Sequence, residues 1–393
     1  MKKIILKIFA VCFFSLLVFF ISICFIESKN PLLDIRFYER LVTFPRLKPY
    51  TSLNWKGYQP REIIKGNYQD LEYYKENEKT FSKEALEKLS KYVEERNSIS
   101  LLVLYKNKIA FERYYANTND KTLSDSASMA KTVLSLMIGK AIEEKYINSE
   151  DDLVYKYIPE WKDDERNKIT IKNLLQMSSG LYCSDNLVSP FSDIVKMHGG
   201  FYLPEIVLNV KAVKPPNTEY SYNNVNSQIL EILLERATKK RYADYLSEKL
   251  WKPLQAENAN LWLDHENGTP RAYCCLFASA KDWAKLGLML LNNGFYNNQQ
   301  IVSKEWLKKM IQPSEYKKNY GYHIWLGKSQ FFSSRRISEP FLDESMIFLD
   351  GKGKQRVFVI PSKELVIVRM GDDVFNWDES FITNTLIRDL DKK

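Results

Sequence analysis

Histidine is scarce in this 393-residue chain, which contains only three. His198, His265 and His323 are isolated, and no His-x-x-x-His or Cys-x-x-Cys spacing occurs, so the sequence predicts no metal site and no other cofactor. A Gly-x-Ser-x-Gly nucleophile elbow and a glycine-rich phosphate loop are also missing. These absences argue against a metalloenzyme, an α/β-hydrolase and a nucleotide-binding enzyme.

Basic residues exceed acidic ones, but no arginine-rich block is present. The net charge is +8, and Lys2, Lys3 and Lys7 supply three of these charges at the N-terminus. The remaining charge is spread along the chain without a basic run interleaved with aromatic residues, so we predict no nucleic-acid partner. A weak attraction to anionic lipid or wall polymer is the most that this charge supports.

Long apolar runs are absent except for residues 8–26, which are uncharged. This run is long enough to cross the ~30 Å hydrocarbon core of a bilayer. The preceding lysines predict a cytoplasmic N-terminus and place everything after Glu27 on the other side. A cleaved secretory signal is the alternative, but the run exceeds the usual apolar length of about 7–15 residues, and no Ala-x-Ala follows. We therefore expect a single-pass anchor in the cell membrane, with the rest of the chain in the periplasm or cell exterior.

The five cysteines are too few for a disulfide scaffold, and Cys12 and Cys24 lie in the apolar run. Cys183, Cys274 and Cys275 would face an oxidising compartment. They permit one bridge between distant segments with one thiol left over. Small buried side chains are the alternative interpretation.

Ser128-Met129-Ala130-Lys131 places a hydroxyl and an amine three residues apart at the start of a strongly apolar segment. Residues at this spacing share one face of a helix. A nucleophilic serine needs a base, and Lys131 can serve if its surroundings keep it partly neutral. The pattern recurs at Ser314, where residues 313–318 predict an exposed loop or helix start. Because Ser128 could also simply cap a helix, the tetrapeptide alone makes it only a candidate nucleophile.

Strand-like segments occur near both ends of the chain, with helices and long loops between them. They are residues 99–105 and 109–115, split by the turn signal Lys106-Asn107-Lys108, and residues 345–349, 356–360 and 365–370. The middle of the chain includes an apolar helix at residues 226–237. We expect an α/β (α+β) fold in which a central antiparallel sheet, flanked by helices, is built from both chain ends around an inserted helical region.

This pattern predicts four parts. Residues 1–28 form the anchor, and residues 29–80 form a stalk that packs on the domain surface or is partly disordered. Residues 81–131 and 237–393 form an α/β sheet domain, and residues 132–236 form an inserted, mainly helical domain. Ser82 is predicted to cap the first helix of the sheet domain.

Tyr222-Asn223-Asn224, within residues 216–226, leads from a proline turn into an apolar helix. This segment resembles the loop with the second catalytic element in class C serine β-lactamases, penicillin-binding proteins and their esterase and nylon-oligomer (6-aminohexanoate-dimer) hydrolase relatives. Residues 169–181 are similar to the structural Leu-Leu-x-x-x-Ser-Gly-Leu segment of this family. Residues 278–284 are similar to its helix start, with a capping-box spacing. The resemblance covers roughly residues 95–375 and implies a β-lactamase/transpeptidase-like fold.

The resemblance also implies a role for each matching residue. Ser128 would be the acylated nucleophile, and Lys131 would be the amine that activates it. Tyr222 would pass a proton to the leaving group or activate the deacylating water, and Asn224 would hold Lys131 and the substrate amide. Which of Lys131 and Tyr222 takes the first proton stays open, since both ordinarily titrate near or above about pH 10. The oxyanion hole would consist of the backbone N–H groups of Ser128 and Gln355.

Gly351-Lys352-Gly353-Lys354-Gln355 occupies the place of the third motif of the family. The family has Lys-Thr-Gly or His-Gly-Gly there, whereas this chain has Lys354 where a glycine is usual. Gly353 leaves room for a close approach of the backbone, and Lys352 would border the site and favour a substrate carboxylate. Two lysines on a solvated turn are the alternative interpretation.

Taken together, the motifs predict a membrane-anchored serine hydrolase that cleaves a small-molecule amide or ester. A β-lactamase or D-alanyl carboxypeptidase is a narrower version of the same chemistry. A penicillin-binding-like sensor or scaffold without turnover is an alternative of a different class. The presence of Ser128, Lys131, Tyr222 and Asn224 together argues against it, because a decayed site usually loses at least one such residue. The sequence leaves the substrate and the oligomeric state open.

Overall fold

The computed structural model describes residues 13–15, 29–43, 52–53, 57–75, 80–333 and 336–392. Except for residues 13–15, the apolar run at residues 8–26 lies outside these ranges, so the membrane anchor stays a prediction. Within the described ranges, no helix has both the length and the apolar composition needed to cross a bilayer.

The described chain alternates between helices and short strands. The α-helices are α1 (Ile35–Thr43), α2 (Lys83–Glu94), α3 (Ala130–Glu143), α4 (Ile171–Leu175), α5 (Asp193–Gly199), α6 (Leu203–Val207), α7 (Asn224–Thr238), α8 (Tyr242–Leu246), α9 (Ala280–Leu291), α10 (Lys304–Met310) and α11 (Glu379–Leu390). The strands are β1 (Arg61–Ile64), β2 (Ser98–Tyr105), β3 (Lys108–Tyr114), β4 (Ser124–Asp125), β5 (Ala259–Trp262), β6 (Leu276–Ala278), β7 (Phe295–Tyr296), β8 (Gln299–Gln300), β9 (Trp325–Leu326), β10 (Ile347–Gly351), β11 (Gln355–Ile360) and β12 (Leu365–Gly371).

The largest sheet contains six antiparallel strands in the order β3-β2-β12-β11-β10-β9. Strand β2, from the first third of the chain, pairs with β12 near the end, and Leu102 lies opposite Val368. The predicted hairpin joins β2 to β3 through Lys106 and Asn107, whose φ angles of 45° and 67° suit a tight hairpin turn. The prediction that both chain ends build one antiparallel sheet is therefore confirmed.

Helices cover both faces of this sheet, as the sequence predicts. Helices α2 and α11 pack on one face, where Leu386 and Ile367 belong to the same buried cluster. Helix α9 packs on the other face, since neighbouring residues of a strand point to opposite sides. A Cβ on Gly287 of α9 would lie only 2.6 Å from Val366, so glycine permits the close approach of helix and sheet.

Side-chain caps set the start of several helices. Ser82 Oγ accepts a hydrogen bond from the Ala85 N–H at 3.1 Å, which confirms the predicted cap of α2. The predicted capping box of α9 is present between Ser279 and Asp282. Helix α7 begins at Asn224, two residues earlier than predicted, because the side chain of Asn223 acts as its N-cap.

Helix α3 runs through the main hydrophobic core, which also contains residues of a four-stranded sheet in the order β1-β5-β6-β4. Its residues 130–139 are all buried. Gly139 allows the indole of Trp306 to lie against the helix, since a Cβ there would be 2.2 Å from that ring, and Trp306 Nε1 donates to the Ser135 carbonyl at 3.0 Å. These contacts hold the middle of α3 against Trp306 of α10. The domain boundaries expected from the sequence stay a prediction.

Candidate active site

Ser128 lies in a 3₁₀ turn, Ala127–Met129, that leads directly into α3. Ala127 has a φ of 46°, a left-handed conformation that a non-glycine residue keeps only where its surroundings impose it. Asp125 Oδ1 accepts a hydrogen bond from the Ala127 N–H at 2.9 Å. Strand β10 packs beside the turn, and a Cβ on Gly351 would lie 2.3 Å from the Ser126 carbonyl oxygen. The turn therefore presents the half-buried Ser128 side chain at the edge of a cavity.

Lys131 lies one helical turn after Ser128, and its side chain is almost fully buried. Its Nζ donates a hydrogen bond to Ser128 Oγ at 2.9 Å and another to the Tyr273 carbonyl at 2.7 Å. Both acceptors are neutral oxygens. The same Nζ lies 5.1 Å from the centre of the Tyr222 ring, within cation–π distance. The structure thus brings Ser128, Lys131 and Tyr222 together, although Tyr222 is 91 residues from Lys131 in the sequence.

Tyr222 forms part of the cavity wall, where about 40% of its side chain remains accessible. The surrounding protein raises the pKa of its phenol by desolvation, and a hydrogen bond with Ser128 opposes that shift. The negative charge of Asp350 raises the pKa further. Tyr222 is therefore a protonated phenol at neutral pH, able to donate its proton.

The segment that carries Tyr222 and Asn224 is fastened to the loop at residues 178–181. Asn223 Nδ2 donates to the Leu181 carbonyl at 3.2 Å, and Ser179 Oγ bonds Asn226 Oδ1 at 2.5 Å. These contacts indicate the structural role of residues 169–181: they position the segment that carries Tyr222 and Asn224. Asn224, the first residue of α7, lines the same cavity as Ser128, and its expected contact with Lys131 stays a prediction.

The third motif forms the turn between β10 and β11. Gly353 and Lys354 both have positive φ angles, 79° and 60°, so Lys354 adopts the backbone conformation that glycine would favour. The buried guanidinium of Arg369 donates to both carbonyls of this turn, to Gly353 and, at 3.0 Å, to Lys354. Of the two lysines, Lys352 lines the cavity and Lys354 does not.

Gln355 lies just after this turn and is fully buried. Its side chain bonds the backbone of Gly371 in both directions, with Nε2 donating at 2.5 Å and Oε1 accepting at 2.9 Å. The side chain therefore connects β11 to the end of β12 and does not line the cavity. The expected role of its backbone N–H in the oxyanion hole stays a prediction.

A cavity of about 700 Å³ opens beside Ser128. Its polar lining includes Tyr222, Asn224 and Lys352, and much of the remaining lining is apolar. The apolar part consists of Leu41, Ala127, Leu187, Val188, Pro190, Ile194 and Val195. Its volume lies in the usual range for small-molecule sites, about 300–1,000 Å³.

The second Ser-x-x-Lys sequence has a different setting. Ser314 lies in a loop, as expected, but its side chain is buried, whereas the sequence predicted exposure. Its backbone N–H bonds the Tyr320 carbonyl at 2.7 Å, and its Oγ accepts from the Tyr316 N–H at 3.4 Å. Ser314 therefore helps to shape the loop and is not among the residues that line the cavity.

The pairing of the cysteines differs from the bridge between distant segments considered in the sequence analysis. Cys274 and Cys275 form a disulfide between neighbouring residues, so the bridge between distant segments that the sequence permits is not the one formed. Cys183 remains a thiol, and burial raises its pKa to about 12. Cys183 and Cys274 both line the cavity. In the parts of the chain that the structure describes, no group of three or more His, Cys, Asp or Glu side chains is arranged to hold a metal ion.

His323 is a site neighbour that sequence reasoning missed, because it lacks any local motif. It is buried, its Nε2 lies 3.0 Å from Ser227 Oγ, and its carbonyl accepts from Thr132 Oγ1 at 2.6 Å. Burial lowers the pKa of its imidazole to about 3, and the nearby charge of Lys131 adds to this effect. His323, with a neutral imidazole, thus contacts both α3 and α7.

A family model described as Beta-lactamase matches residues 86–391, well over half of the chain. The 6-aminohexanoate-dimer hydrolase of Paenarthrobacter ureafaciens is 24% identical over 234 residues, which cover 57% of this chain and 59% of that protein. Protein flp of Staphylococcus aureus (strain MW2) is 26% identical over 170 residues, covering 40% of this chain and 34% of that protein. The chain thus spans less than two thirds of the length of either relative.

Among solved structures, a candidate 6-aminohexanoate-dimer hydrolase from Bacillus anthracis superposes with a TM-score of 0.70. The two chains are 20% identical, and the match covers 86% of this chain and 92% of that one. At this identity the likeness establishes the fold.

Proposed function

The chain belongs to the β-lactamase family, and from that premise we propose that it is a serine hydrolase that cleaves an amide or ester through an acyl-enzyme on Ser128. The observation that carries the proposal is the 2.9 Å hydrogen bond between Lys131 Nζ and Ser128 Oγ at the edge of a 700 Å³ cavity. A nucleophile and its base within hydrogen-bond reach are the arrangement that covalent catalysis requires.

In the proposed reaction, Ser128 Oγ attacks the substrate carbonyl carbon, and its proton passes to Lys131. The new Oγ–C bond forms a tetrahedral intermediate, whose oxyanion would be stabilised by the backbone N–H groups of Ser128 and Gln355. The bond from carbon to the leaving oxygen or nitrogen then breaks, and the leaving group takes up a proton. A water molecule later hydrolyses the acyl-enzyme and restores Ser128.

The raised pKa of Tyr222 supports a specific division of labour in this scheme. A phenol that stays protonated is a poor first base but a suitable donor to a basic leaving group. Lys131 would therefore take the first proton, and Tyr222 would supply one to the leaving amine or alkoxide. Asn224 would orient the substrate amide.

Labelling with a fluorophosphonate, followed by peptide mass spectrometry, tests the nucleophile. We expect one adduct on Ser128 and none in Ser128→Ala. Parallel assays with p-nitrophenyl esters, a chromogenic β-lactam, a D-alanyl peptide and 6-aminohexanoate dimer would identify the bond that is cleaved. An adduct on Ser128 without turnover of any substrate would support the sensor alternative, and an adduct elsewhere would overturn the assignment.

Cleavage of a carboxylate-bearing substrate, as in a β-lactamase or D-alanyl carboxypeptidase, is a second candidate. It is supported by Lys352, whose side chain lines the cavity. The name of the relative from Paenarthrobacter ureafaciens points to a linear amide instead. Both substrates would use the same acyl-enzyme chemistry.

We further propose that residues 8–26 anchor the enzyme in the cell membrane with the catalytic domain outside the cytoplasm. The support is the length of the apolar run and the three lysines that precede it. Protease added to intact spheroplasts should degrade the domain. Protection in spheroplasts, followed by cleavage after lysis, would contradict this orientation.

A further inference from the structure

Most of the apolar lining of the cavity comes from two segments of the chain, α1 and the stretch from residue 187 to residue 195. Leu187 and Val188 lie in the loop before α5, Ile194 and Val195 lie on α5, and Leu41 lies on α1. Among the residues that line this cavity, Asp185, His198 and Lys352 carry acidic or basic side chains. A substrate group that fills the apolar part would therefore leave water without meeting a dense set of charges.

Helix α1 is firmly docked, so Leu41 is a built part of this wall. Leu41 and Phe37 pack against Ile194 and Val195 in a small apolar cluster. A Cβ on Gly199 would lie 2.8 Å from Phe37 and 3.1 Å from Leu41, so glycine is what lets the two helices touch.

Arg40 holds the same helix from its polar side. Its Nη1 donates to the carbonyls of Gly199, Gly200 and Asp264 at 3.2, 3.1 and 3.0 Å. Its guanidinium also stacks on the ring of Phe201, 3.7 Å from the ring centre. Three carbonyl contacts and a stacked ring fix the position of α1 against α5 and the loop that follows it.

The wall contributed by α1 is a feature of this chain outside the family match, which begins at residue 86. Val42, which follows Leu41 on α1, faces solvent: it is 81% exposed and does not line the cavity. Adjacent positions of one helix thus offer a cavity residue and a matched solvent-facing residue.

We propose that the cavity accepts the aliphatic acyl chain of an ester or amide, and that Leu41 is a specificity-determining residue that limits the length of that chain. This inference rests on the proposed function, because the acyl carbon must bond to Ser128 Oγ. The acyl chain lies against Leu41, Leu187, Val188, Ile194 and Val195, while the leaving group departs with its proton. Each methylene removed from water favours binding by about fourfold, which corresponds to ~0.8 kcal/mol.

The test measures kcat/KM for p-nitrophenyl acetate, butyrate, hexanoate and octanoate in the full-length enzyme. For the wild type we expect hexanoate to exceed acetate by about tenfold or more, since partial burial reduces the gain per methylene. Leu41→Trp should lower the hexanoate-to-acetate ratio at least fivefold, and Leu41→Ala should move the optimum towards octanoate. Val42→Trp is the matched control, because it adds the same indole at the next position, and its ratio should equal that of the wild type.

The results that would refute the acyl-chain pocket differ from those that would refute the proposed function. If Ser128 forms the fluorophosphonate adduct but acetate and hexanoate are cleaved equally, or if Leu41→Trp and Val42→Trp change the ratio alike, the acyl-chain pocket is wrong. If Ser128→Ala cleaves the esters as fast as the wild type does, the proposed function itself is wrong. Thermal unfolding of each variant verifies that it folds. Should Leu41→Trp fail to fold, the optimum of Leu41→Ala decides, and an unchanged optimum overturns the proposal.

Discussion

The main-chain oxygen of Tyr273 accepts a hydrogen bond from Nζ of Lys131 at 2.7 Å. A backbone carbonyl is a rigid acceptor, and this one immediately precedes the Cys274–Cys275 disulfide. The amine that lies beside Ser128 is thus oriented by a loop rather than by an acidic side chain in this contact. The acceptor is a neutral carbonyl oxygen, and this contact helps to hold Nζ beside Ser128 Oγ.

Replacing Lys131 tests its role as the base. We expect Lys131→Ala to lower kcat by about 10³-fold, within the usual range for a general base. Lys317→Ala, in the second Ser-x-x-Lys sequence, is the matched control and should retain full kcat. Steady-state kinetics with one ester check both variants, and circular dichroism verifies that they fold. Equal losses in the two variants would contradict the assignment.

Tyr222→Phe should separate good from poor leaving groups. The phenol is needed chiefly to protonate a basic leaving group, so we expect kcat to fall by about 10²-fold or more for an alkyl amide. The loss should be less than about tenfold for a p-nitrophenyl ester, whose leaving phenolate needs no proton. Similar losses for both substrates would indicate that Tyr222 acts as the first base instead.

Lys352→Ala tests the preference for a carboxylate. A charge-assisted contact contributes about 1.5–3 kcal/mol, or roughly a tenfold to hundredfold preference in kcat/KM for a carboxylate-bearing amide over its methyl ester. The substitution should remove most of this preference. Lys354→Ala, two residues away and outside the cavity lining, should keep it. A wild-type enzyme that cleaves both forms equally would eliminate the carboxylate from the proposal.

His323 should make stability depend on pH in acid. Its pKa of about 3 in the folded protein is below the ordinary value of 6.5, so the unfolded chain binds its proton first as the pH falls. The free energy of unfolding should therefore decrease between about pH 6.5 and pH 3, by up to ~1.4 kcal/mol per pH unit. His323→Asn should flatten this dependence, because the asparagine side chain does not titrate. The variant should keep the fold, since asparagine tolerates the positive φ of 54° at this position.

Urea unfolding at several pH values measures the difference between the wild type and His323→Asn. A wild-type pH dependence that persists in His323→Asn would show that another group is responsible.

Glu231 should make stability decrease as the pH rises, which is opposite to the dependence expected for His323. It is fully buried on α7, Gln228 Nε2 donates to its Oε2 at 2.7 Å, and burial raises its pKa well above the ordinary 4.5. Its stabilising effect is complete below about pH 4.5 and is lost as the pH rises towards the folded pKa. The advantage of Glu231→Gln in melting temperature should therefore grow from pH 5 to pH 8. The exposed Glu94→Gln should show no such trend, and a constant difference for Glu231→Gln would contradict the prediction.

Much of the fold was readable from sequence because its signals are local. The cap at Ser82 and the capping box of Ser279 and Asp282 each join residues three apart, and the β2–β3 hairpin turns over two residues. The start of α7 was missed by two residues because Asn223, and not a later residue, caps that helix. Bonds between near neighbours follow from residue types and spacing, so the sequence predicts them.

The candidate site likewise combines contacts between near neighbours in the sequence with contacts between distant segments. Ser128 and Lys131 are one helical turn apart, so the sequence alone determined that hydroxyl and amine would share a helix face. Tertiary structure decided the rest: the carbonyl of Tyr273 lies 142 residues from Lys131, and His323 lies 191 residues from Thr132, which it bonds. Leu41 likewise reaches the cavity only because Gly199 and Arg40 dock α1 on α5. Such contacts depend on how distant segments pack, and no sequence pattern predicts where a backbone carbonyl or a single leucine will lie.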